Sequence, residues 1–283
     1  MDWLDALILG VVQGLTEYLP VSSSGHLEIF KEILGIDLPA DENLQFSVLV
    51  HAATVLSTIV VLWPLFRRLC VSFFTFRRGA DFDYVCKILL SCIPVGIVGV
   101  FFKHQVEEIF GSGLLVVGIC LCVTAALLTF AYLSDRRAAR CGAGVSAPGL
   151  PIPASAGRDI SWRDAIIIGL AQAVAVLPGL SRSGTTIATG IMLGDKRSEV
   201  ASFSFLMVIL PIIGEALLDV KDMISEGSAG ADTGALPLIV GFVAAFVVGC
   251  GACKWMIELV KKGKLIWFAA YCVLMGIICI LRQ

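Results

Sequence analysis

Two polar loops interrupt an otherwise apolar chain, and they are versions of one another. Segment 10–25 aligns with segment 169–184 on a shared glutamine, Gln13 and Gln172, with serines and a glycine in register. A second match, 45–49 against 202–206, indicates that a whole half-chain was duplicated. Polar, glycine-containing backbone is tolerated at membrane depth only where protein or a cavity surrounds it. Paired interruptions of this kind therefore indicate a binding site near the bilayer midplane.

The composition predicts an integral membrane protein. Hydrophobic residues make up 58% of the chain, charged residues 16%, and the mean hydropathy is +0.91, outside the range of soluble domains. Six stretches are long enough, or nearly so, to cross a bilayer: 44–66, 85–102, 114–133, 203–219, 236–257 and 265–281. Four shorter apolar segments flank the polar loops, as the half-helices of two re-entrant hairpins would: 4–19, 27–35, 163–178 and 185–194.

The predicted fold is an all-α polytopic membrane protein, with six transmembrane helices and two re-entrant helical hairpins in an inverted-topology repeat. It forms a single membrane domain, 1–283. The first repeat, 1–133, has its re-entrant loop at 20–26, and the second, 162–283, has its loop at 178–186. Residues 134–161, whose central part is rich in Ala, Gly, Pro and Ser, are a predicted cytoplasmic linker.

Basic residues predict the orientation. With loop 67–84 in the cytoplasm, fourteen basic residues fall inside and three outside, which places both termini and the site opening outside. The first residues lack the basic start of a signal peptide, so we expect them to stay in the fold. The ten scattered cysteines are expected to be small buried hydrophobes. No basic block indicates nucleic acid, and the oligomeric state is left open, a homodimer included.

Gln13 and Glu17 are spaced i, i+4, so on a helix both side chains share one face. An ionisable carboxylate in an apolar half-helix costs several kcal/mol unless it is paired or bound to metal, and it indicates function. A structural hydrogen bond to the broken helix is the alternative for Glu17.

Ser22, Ser23, Ser24, Gly25 and His26 suit an anion, because backbone N–H groups in such a turn bind phosphate oxygens. Helix capping explains the serines equally well. His26 favours chemistry, since an imidazole beside a serine nucleophile can accept its proton. A buried structural histidine is the alternative.

The second loop supplies a cation. Arg182 lies among Ser181, Ser183, Gly184 and Thr186, and its planar fork matches a phosphate. Burying it alone would be unfavourable, so Glu17 or a phosphate must neutralise it. Together these groups indicate phosphoryl transfer, although a structural ion pair between Arg182 and Glu17 is the alternative.

Four further residues are weaker candidates. His51 could face the pocket, although a structural role is favoured, and Arg197 could touch substrate phosphate or belong to an ordinary loop. Glu215 and Asp219 could line an entrance or a solvated helix end.

The motifs Gln13-Gly-Leu-Thr-Glu17, Pro20-Val-Ser-Ser-Ser-Gly-His26 and Pro178-Gly-Leu-Ser-Arg-Ser-Gly184 resemble those of the undecaprenyl pyrophosphate phosphatases linked to bacitracin resistance. The resemblance covers essentially the whole chain. It implies a bacterial inner-membrane enzyme that removes the terminal phosphate of undecaprenyl diphosphate, regenerating the lipid carrier for cell-wall synthesis, with a divalent cation required.

The resemblance also implies residue roles. Gln13 and Glu17 match the family's glutamate motif, Ser23 and His26 its serine and histidine, and Arg182 with Ser181, Ser183 and Thr186 its phosphate loop; Arg197 resembles another functional arginine. Gln13 replaces the commoner glutamate, and Ser202 stands where a glutamate often precedes Phe-Ser-Phe. We expect Mg²⁺ or Ca²⁺, held by Glu17 with Gln13, waters and substrate oxygens.

The predicted mechanism has Ser23 attack phosphorus with His26 as base, giving a phosphoserine that water hydrolyses. Attack by water or by His26 itself stays open. A transporter of polyprenyl phosphate is the rival function, because inverted repeats around a midplane anion site also serve alternating access. The separation of His26 and Arg182 into different loops favours the enzyme.

Overall fold

A computed structural model describes residues 1–102, 105, 113–142, 157–225 and 234–282. In these residues the regular secondary structure is helical, with one isolated bridge between Arg158 and Asp195. The described helices are α1 Trp3–Thr16, α2 Ser23–Leu34, α3 Ala40–Val61, α4 Trp63–Phe74, α5 Ala80–Phe101, α6 Leu114–Gly142, α7 Trp162–Val174, α8 Arg182–Leu193, α9 Arg197–Met207, α10 Ile209–Ser225, α11 Ala235–Lys261 and α12 Ile266–Leu281.

Five segments of the described chain are long and apolar enough to cross a membrane, namely Glu42–Val61, Ala80–Phe101, Leu114–Arg137, Arg197–Lys221 and Ala235–Lys261. Each corresponds to a predicted span, and the all-helical, multi-pass architecture is confirmed. The sixth predicted span corresponds to the apolar helix α12, which has only 16 residues. The exact count of six stays a prediction. Of the predicted linker, residues 143–156 lie outside the described residues.

The predicted limits of one span were wrong, and a second span is interrupted by a turn. Stretch 44–66 is divided at Leu62, and α4 occupies part of what was predicted as loop 67–84. Pro64 explains the division, because proline lacks the N–H that a continuing helix needs and is favoured in a first turn. Stretch 203–219 is likewise divided at Val208. There Pro211 has no backbone N–H to donate to the Met207 carbonyl. The Cys92 thiol donates a hydrogen bond to that carbonyl oxygen instead, at 3.3 Å.

Both predicted hairpin regions contain a pair of short helices with matching ends. α1 and α7 each begin with a capping box, and α2 and α8 each begin with a serine cap and end at a left-handed glycine, Gly35 or Gly194. The repeated sequence therefore encodes the same local structure twice.

The first helix of each hairpin packs on a long helix of the other half of the chain. α1 packs against α11, and α7 packs against α5. The contacts are close because they use glycine, as is common between membrane helices. A methyl group on Gly10 would meet the Gly241 carbonyl at 2.5 Å, and one on Gly169, its partner in the repeat, would meet the Ser91 carbonyl at 2.4 Å.

Gly169→Ala should destabilise the protein by about 1–3 kcal/mol, because the added methyl forces two backbones apart. The measurement is the unfolding temperature of the full chain in detergent. Gly96→Ala is the matched control on α5, since nothing lies within 4 Å of its added methyl. Equal unfolding temperatures for the two variants would contradict the packing of α7 on α5.

The end of the linker is bound to the second hairpin. The Arg158 N–H donates to the Gly194 carbonyl at 3.1 Å, and the Arg158 guanidinium donates to Asp164 at 2.8 Å. Burial, followed by the neighbouring Asp164 carboxylate, raises the pKa of Asp195 to about 7. These contacts fix α7 and α8 at the base of their hairpin.

Candidate active site

The two polar loops touch one another. The Ser183 hydroxyl donates to the Leu19 carbonyl at 3.3 Å, and a methyl group on Gly184 would lie 3.0 Å from Pro20. A methyl on Gly25 would lie 3.4 Å from Gly179. Side chains at the start of α2 and α8 therefore come from opposite halves of the chain but share one small volume.

Glu17 is the centre of this volume. It follows α1 directly, and its side chain is 7% exposed. One carboxylate oxygen, Oε2, accepts hydrogen bonds from Gln13 Nε2 at 2.9 Å and from the Ser23 hydroxyl at 2.8 Å. The i, i+4 spacing thus places Gln13 beside Glu17 as predicted, and the turn after Tyr18 returns Ser23 to the same carboxylate.

Arg182 reaches the other oxygen of the same carboxylate. Its Nη2 lies 3.7 Å from Glu17 Oε1, and its Nη1 lies 3.7 Å from Glu215 Oε2. The Glu215 side chain is 65% exposed, so it stands at the rim. Both separations are longer than a strong guanidinium–carboxylate hydrogen bond, and the planar fork of Arg182 can still engage an anion.

A narrow cavity is lined by Glu17 and Arg182. The part of it that a water molecule can occupy has a volume of about 10 Å³. That is room for about one water. A diphosphate can therefore enter only when side chains move apart. The cavity is lined by Glu17, Tyr18, Thr54, Val55, Thr58, Gln172, Arg182, Ser183, Thr186, Ser204, Phe205, Val208, Ile209 and Ile212.

Gln172 is a cavity residue that had not been assigned to the site. Both polar atoms of its side chain are buried without a hydrogen-bond partner. A buried unsatisfied amide is costly and calls for a ligand or water. The available signal was the repeat itself, since Gln172 aligns with Gln13. Tyr18 was also missed, and its hydroxyl donates to the Thr54 carbonyl at 2.6 Å.

The structure does not bring His26 to the Ser23 hydroxyl. The ring of His26 is buried, with Nδ1 2.8 Å from the Ser22 carbonyl and Nε2 2.7 Å from the Tyr271 hydroxyl. The imidazole close to the carboxylate is that of His51, whose Nε2 lies 3.9 Å from Glu17 Oε2. The sequence favoured His26 as the base, but its ring nitrogens contact Ser22 and Tyr271. It favoured a structural role for His51, which instead lies near the Glu17 carboxylate.

The other serine and threonine hydroxyls of the two loops either cap a helix or line the cavity. Ser22 and Ser181 accept from the Gly25 and Gly184 N–H groups, at 3.3 and 3.0 Å, and so cap their helices. Each cap hydroxyl also lies 3.4 Å from a second serine hydroxyl, that of Ser24 or Ser183.

Thr186 lies on the cavity wall. Its hydroxyl donates to the Arg182 carbonyl at 2.9 Å and lies 2.6 Å from the Ser204 hydroxyl. Ser204 belongs to the repeated Phe-Ser-Phe segment, so that segment also reaches the cavity.

Arg197 lies apart from the cavity lining. Its guanidinium forms a buried ion pair with Asp135, with Nε 3.2 Å from Oδ1, and Nη1 lies 3.5 Å from the Lys261 carbonyl. These contacts join the start of α9 to the ends of α6 and α11.

Oxygen atoms for a hard cation are present but few. Gln13 Oε1 is buried without a partner, beside the Glu17 carboxylate. Within the described residues, no group of three or more His, Cys, Asp or Glu side chains could hold a metal. The donor set fits a cation such as Mg²⁺ that takes its other ligands from water and substrate.

Comparison with known proteins assigns the family. The BacA family, described as "Bacitracin resistance protein BacA", matches residues 6–278 of this chain. The chain belongs to the BacA family. Proteins named undecaprenyl-diphosphatase are similar over nearly their whole length: those of Parabacteroides distasonis (56% identical, 99% of this chain, 98% of the relative), Bacteroides fragilis (55%, 99% and 98%) and Bacteroides thetaiotaomicron (55%, 100% and 100%). As a member of the BacA family with five apolar spans in the described part of its sequence, the chain is a multi-pass membrane protein.

Proposed function

We propose that this protein is a membrane phosphatase that converts undecaprenyl diphosphate to undecaprenyl phosphate and phosphate. One observation carries the proposal: Glu17 accepts a hydrogen bond from Ser23 and faces Arg182 of the other half. A hydroxyl held by a carboxylate supplies a nucleophile and a base, and the guanidinium supplies a phosphate clamp. The relatives named undecaprenyl-diphosphatase support the lipid diphosphate as substrate.

In the proposed reaction the Arg182 fork binds oxygens of the terminal phosphate and turns away from Glu215 and Glu17. Ser23 Oγ attacks the terminal phosphorus while Glu17 Oε2 takes the hydroxyl proton. The Oγ–P bond forms, the P–O bond to the lipid phosphate breaks, and undecaprenyl phosphate leaves. Water then attacks the phosphorus of the phosphoserine, the Oγ–P bond breaks, and the proton held by Glu17 returns to Ser23 Oγ, so that phosphate, the free hydroxyl and the Glu17 carboxylate result.

The contacts favour Glu17 over His26 as the base. Ser23 donates to Glu17 at 2.8 Å, whereas both ring nitrogens of His26 have other partners. We assign His26 the role of holding the Ser22 turn against α12 through Tyr271. His51 Nε2 lies 3.9 Å from Glu17 Oε2, beside the same carboxylate.

Glu17 and Gln13 are the residues that would hold a divalent cation, Mg²⁺ or Ca²⁺. Such an ion would neutralise charge on the diphosphate oxygens. The buried, unpartnered Gln13 Oε1 beside a carboxylate supports this assignment. We propose that Ser24, Gly25, Ser181, Ser183, Gly184 and Thr186 line or shape the phosphate site around this pair.

We further propose six spans and two re-entrant hairpins, related as inverted repeats. The matching caps of the hairpins and their exchanged packing, α1 on α11 and α7 on α5, support this arrangement. The basic residues favour an inner membrane location with both termini and the opening to the cavity outside.

Purified protein in detergent should release phosphate from undecaprenyl diphosphate, and a chelator should abolish the release until Mg²⁺ or Ca²⁺ is restored. Phosphate is measured by colour reaction, and lipid movement is measured in vesicles. Release that persists with chelator would contradict the cation requirement. Lipid movement without any phosphate release would favour the transporter.

A further inference from the structure

A second cavity, of about 550 Å³, lies between α4 and the start of α5 and shares no lining residue with the cavity around Glu17. On one side, residues at helical spacing form a single face of α4. On the other side lie the turn after α4 and the first residues of α5. The lining consists of Pro64, Arg67, Arg68, Val71, Ser72, Arg77, Gly79, Ala80 and Asp81. We refer to this cavity as the arginine groove.

The arginine groove carries excess positive charge. Arg68 Nε is paired with Asp81 Oδ2 at 3.0 Å. Among the residues that the structure describes, no carboxylate lies within 4.0 Å of the Arg67 or Arg77 guanidinium. Arg67 and Arg77 therefore line one open space, and Asp81, the acidic residue of the lining, is paired with Arg68. Planar guanidinium groups that lack a paired carboxylate can bind phosphate oxygens bidentately.

The turn of the groove is held in place by its own backbone contacts. The buried Ser72 hydroxyl donates to the Arg77 carbonyl at 3.1 Å, and the Arg77 N–H donates to the Ser72 carbonyl, also at 3.1 Å. Phe76, between them, adopts a positive φ of 50°. The backbone of Arg77 is thus held close to α4, and its exposed side chain lines the groove.

The groove lies where two spans, Glu42–Val61 and Ala80–Phe101, reach the same membrane surface. α4 has the form of an interfacial helix: Phe66 and Leu69 pack on the core, while Trp63 and Phe74 are exposed. The side chain of Phe76 is also exposed. Tryptophan is enriched at the level of lipid head groups, and phenylalanine on the apolar face of an interfacial helix is buried at the boundary between head groups and acyl chains.

We propose that the arginine groove binds the phosphate of an anionic phospholipid in the adjoining leaflet. Arg67 and Arg77 contact the phosphate, and the acyl chains lie along the exposed rings of Phe74 and Phe76. A free phosphate would satisfy the guanidinium groups but would leave the adjoining apolar rings without a partner. This site is separate from the proposed hydrolysis at Ser23 and does not depend on it.

The test is native mass spectrometry of the full chain in detergent, with phosphatidylglycerol and phosphatidylcholine offered together. The wild-type protein should retain phosphatidylglycerol in preference. The double variant Arg67→Gln/Arg77→Gln should lose about tenfold or more of that preference, since each basic residue near a membrane surface contributes measurably to anionic lipid binding. The matched control is Arg78→Gln/Arg163→Gln, which removes two exposed arginines outside the groove lining.

The other outcomes of the experiment distinguish a lipid phosphate from a free phosphate ion as the ligand of the groove. Equal preference in the groove variant and the control would overturn the site, as would equal retention of the zwitterionic lipid by the wild type. Displacement of the lipid by millimolar inorganic phosphate would overturn the lipid assignment in favour of a free anion. Unchanged unfolding temperature and phosphatase activity of the groove variant in detergent would support a separate lipid site, and loss of either would count against it.

Discussion

Arg182→Ala should lower the rate of phosphate release by about 10³-fold or more, because an arginine that stabilises a phosphoryl transition state contributes on that scale. Its guanidinium reaches the cavity from the second half of the chain, 3.7 Å from Glu17. Removing it leaves the terminal phosphate without the guanidinium that would bind its oxygens. Arg182→Lys should recover only part of the rate, since an ammonium keeps the charge but loses the fork.

Steady-state phosphate release from undecaprenyl diphosphate measures this effect. Arg163→Ala is the control, because Arg163 belongs to the same hairpin region but is exposed and outside the cavity. Its rate should stay near that of the wild type. If Arg182→Ala folds and keeps a near-normal rate, the site proposed between the two loops is wrong.

Ser23→Ala should lower the rate by about 10⁴-fold or more, as expected for loss of a nucleophile that acts as a unit with its base. Glu17→Gln should cause a loss of similar size, because the amide cannot take the Ser23 proton. Ser202→Ala is the matched control. Its hydroxyl donates to the Ser198 carbonyl at 3.3 Å and lies outside the cavity lining, so a less than about tenfold loss is expected.

Rapid quenching with labelled substrate separates the proposed route from direct attack by water. Label trapped on Ser23 of the wild type, and absent from Ser23→Ala, supports the phosphoserine. A Ser23→Ala protein that turns over normally would eliminate serine as nucleophile. Label found on His26 instead would return the histidine to the chemistry, against its contacts with Ser22 and Tyr271.

Local signals predicted much of the site. The i, i+4 spacing of Gln13 and Glu17 held at the end of α1, and the aligned loops predicted that Arg182 would meet the first loop, where Glu17 could neutralise it. The hydrogen bond from Ser23 to Glu17 was not predicted. The caps at Ser22 and Ser181 also follow from short-range sequence. These features depend on helix geometry and on the repeat, both of which can be read along the chain.

Features that depend on distant partners were not accessible. The orientation of His26 depends on Tyr271, 245 positions away, and the ion pair of Arg197 depends on Asp135, 62 positions away. A histidine in a polar loop carries no local sign of which hydroxyl it will meet. The division of two spans at Leu62 and Val208 was missed because hydropathy is continuous across both, although Pro64 and Pro211 mark them.

The exchanged packing of α1 on α11 has a consequence for how the protein is made. The first hairpin emerges from the ribosome early, but the helix that covers Gly10 and Gly14 spans 235–261. Until that helix is synthesised, α1 has only lipid or transient neighbours on its glycine face. A nascent chain that stops before residue 235 therefore carries Glu17 and Ser23 on an unsupported hairpin, and maturation of the enzyme must finish after translation of the penultimate helix.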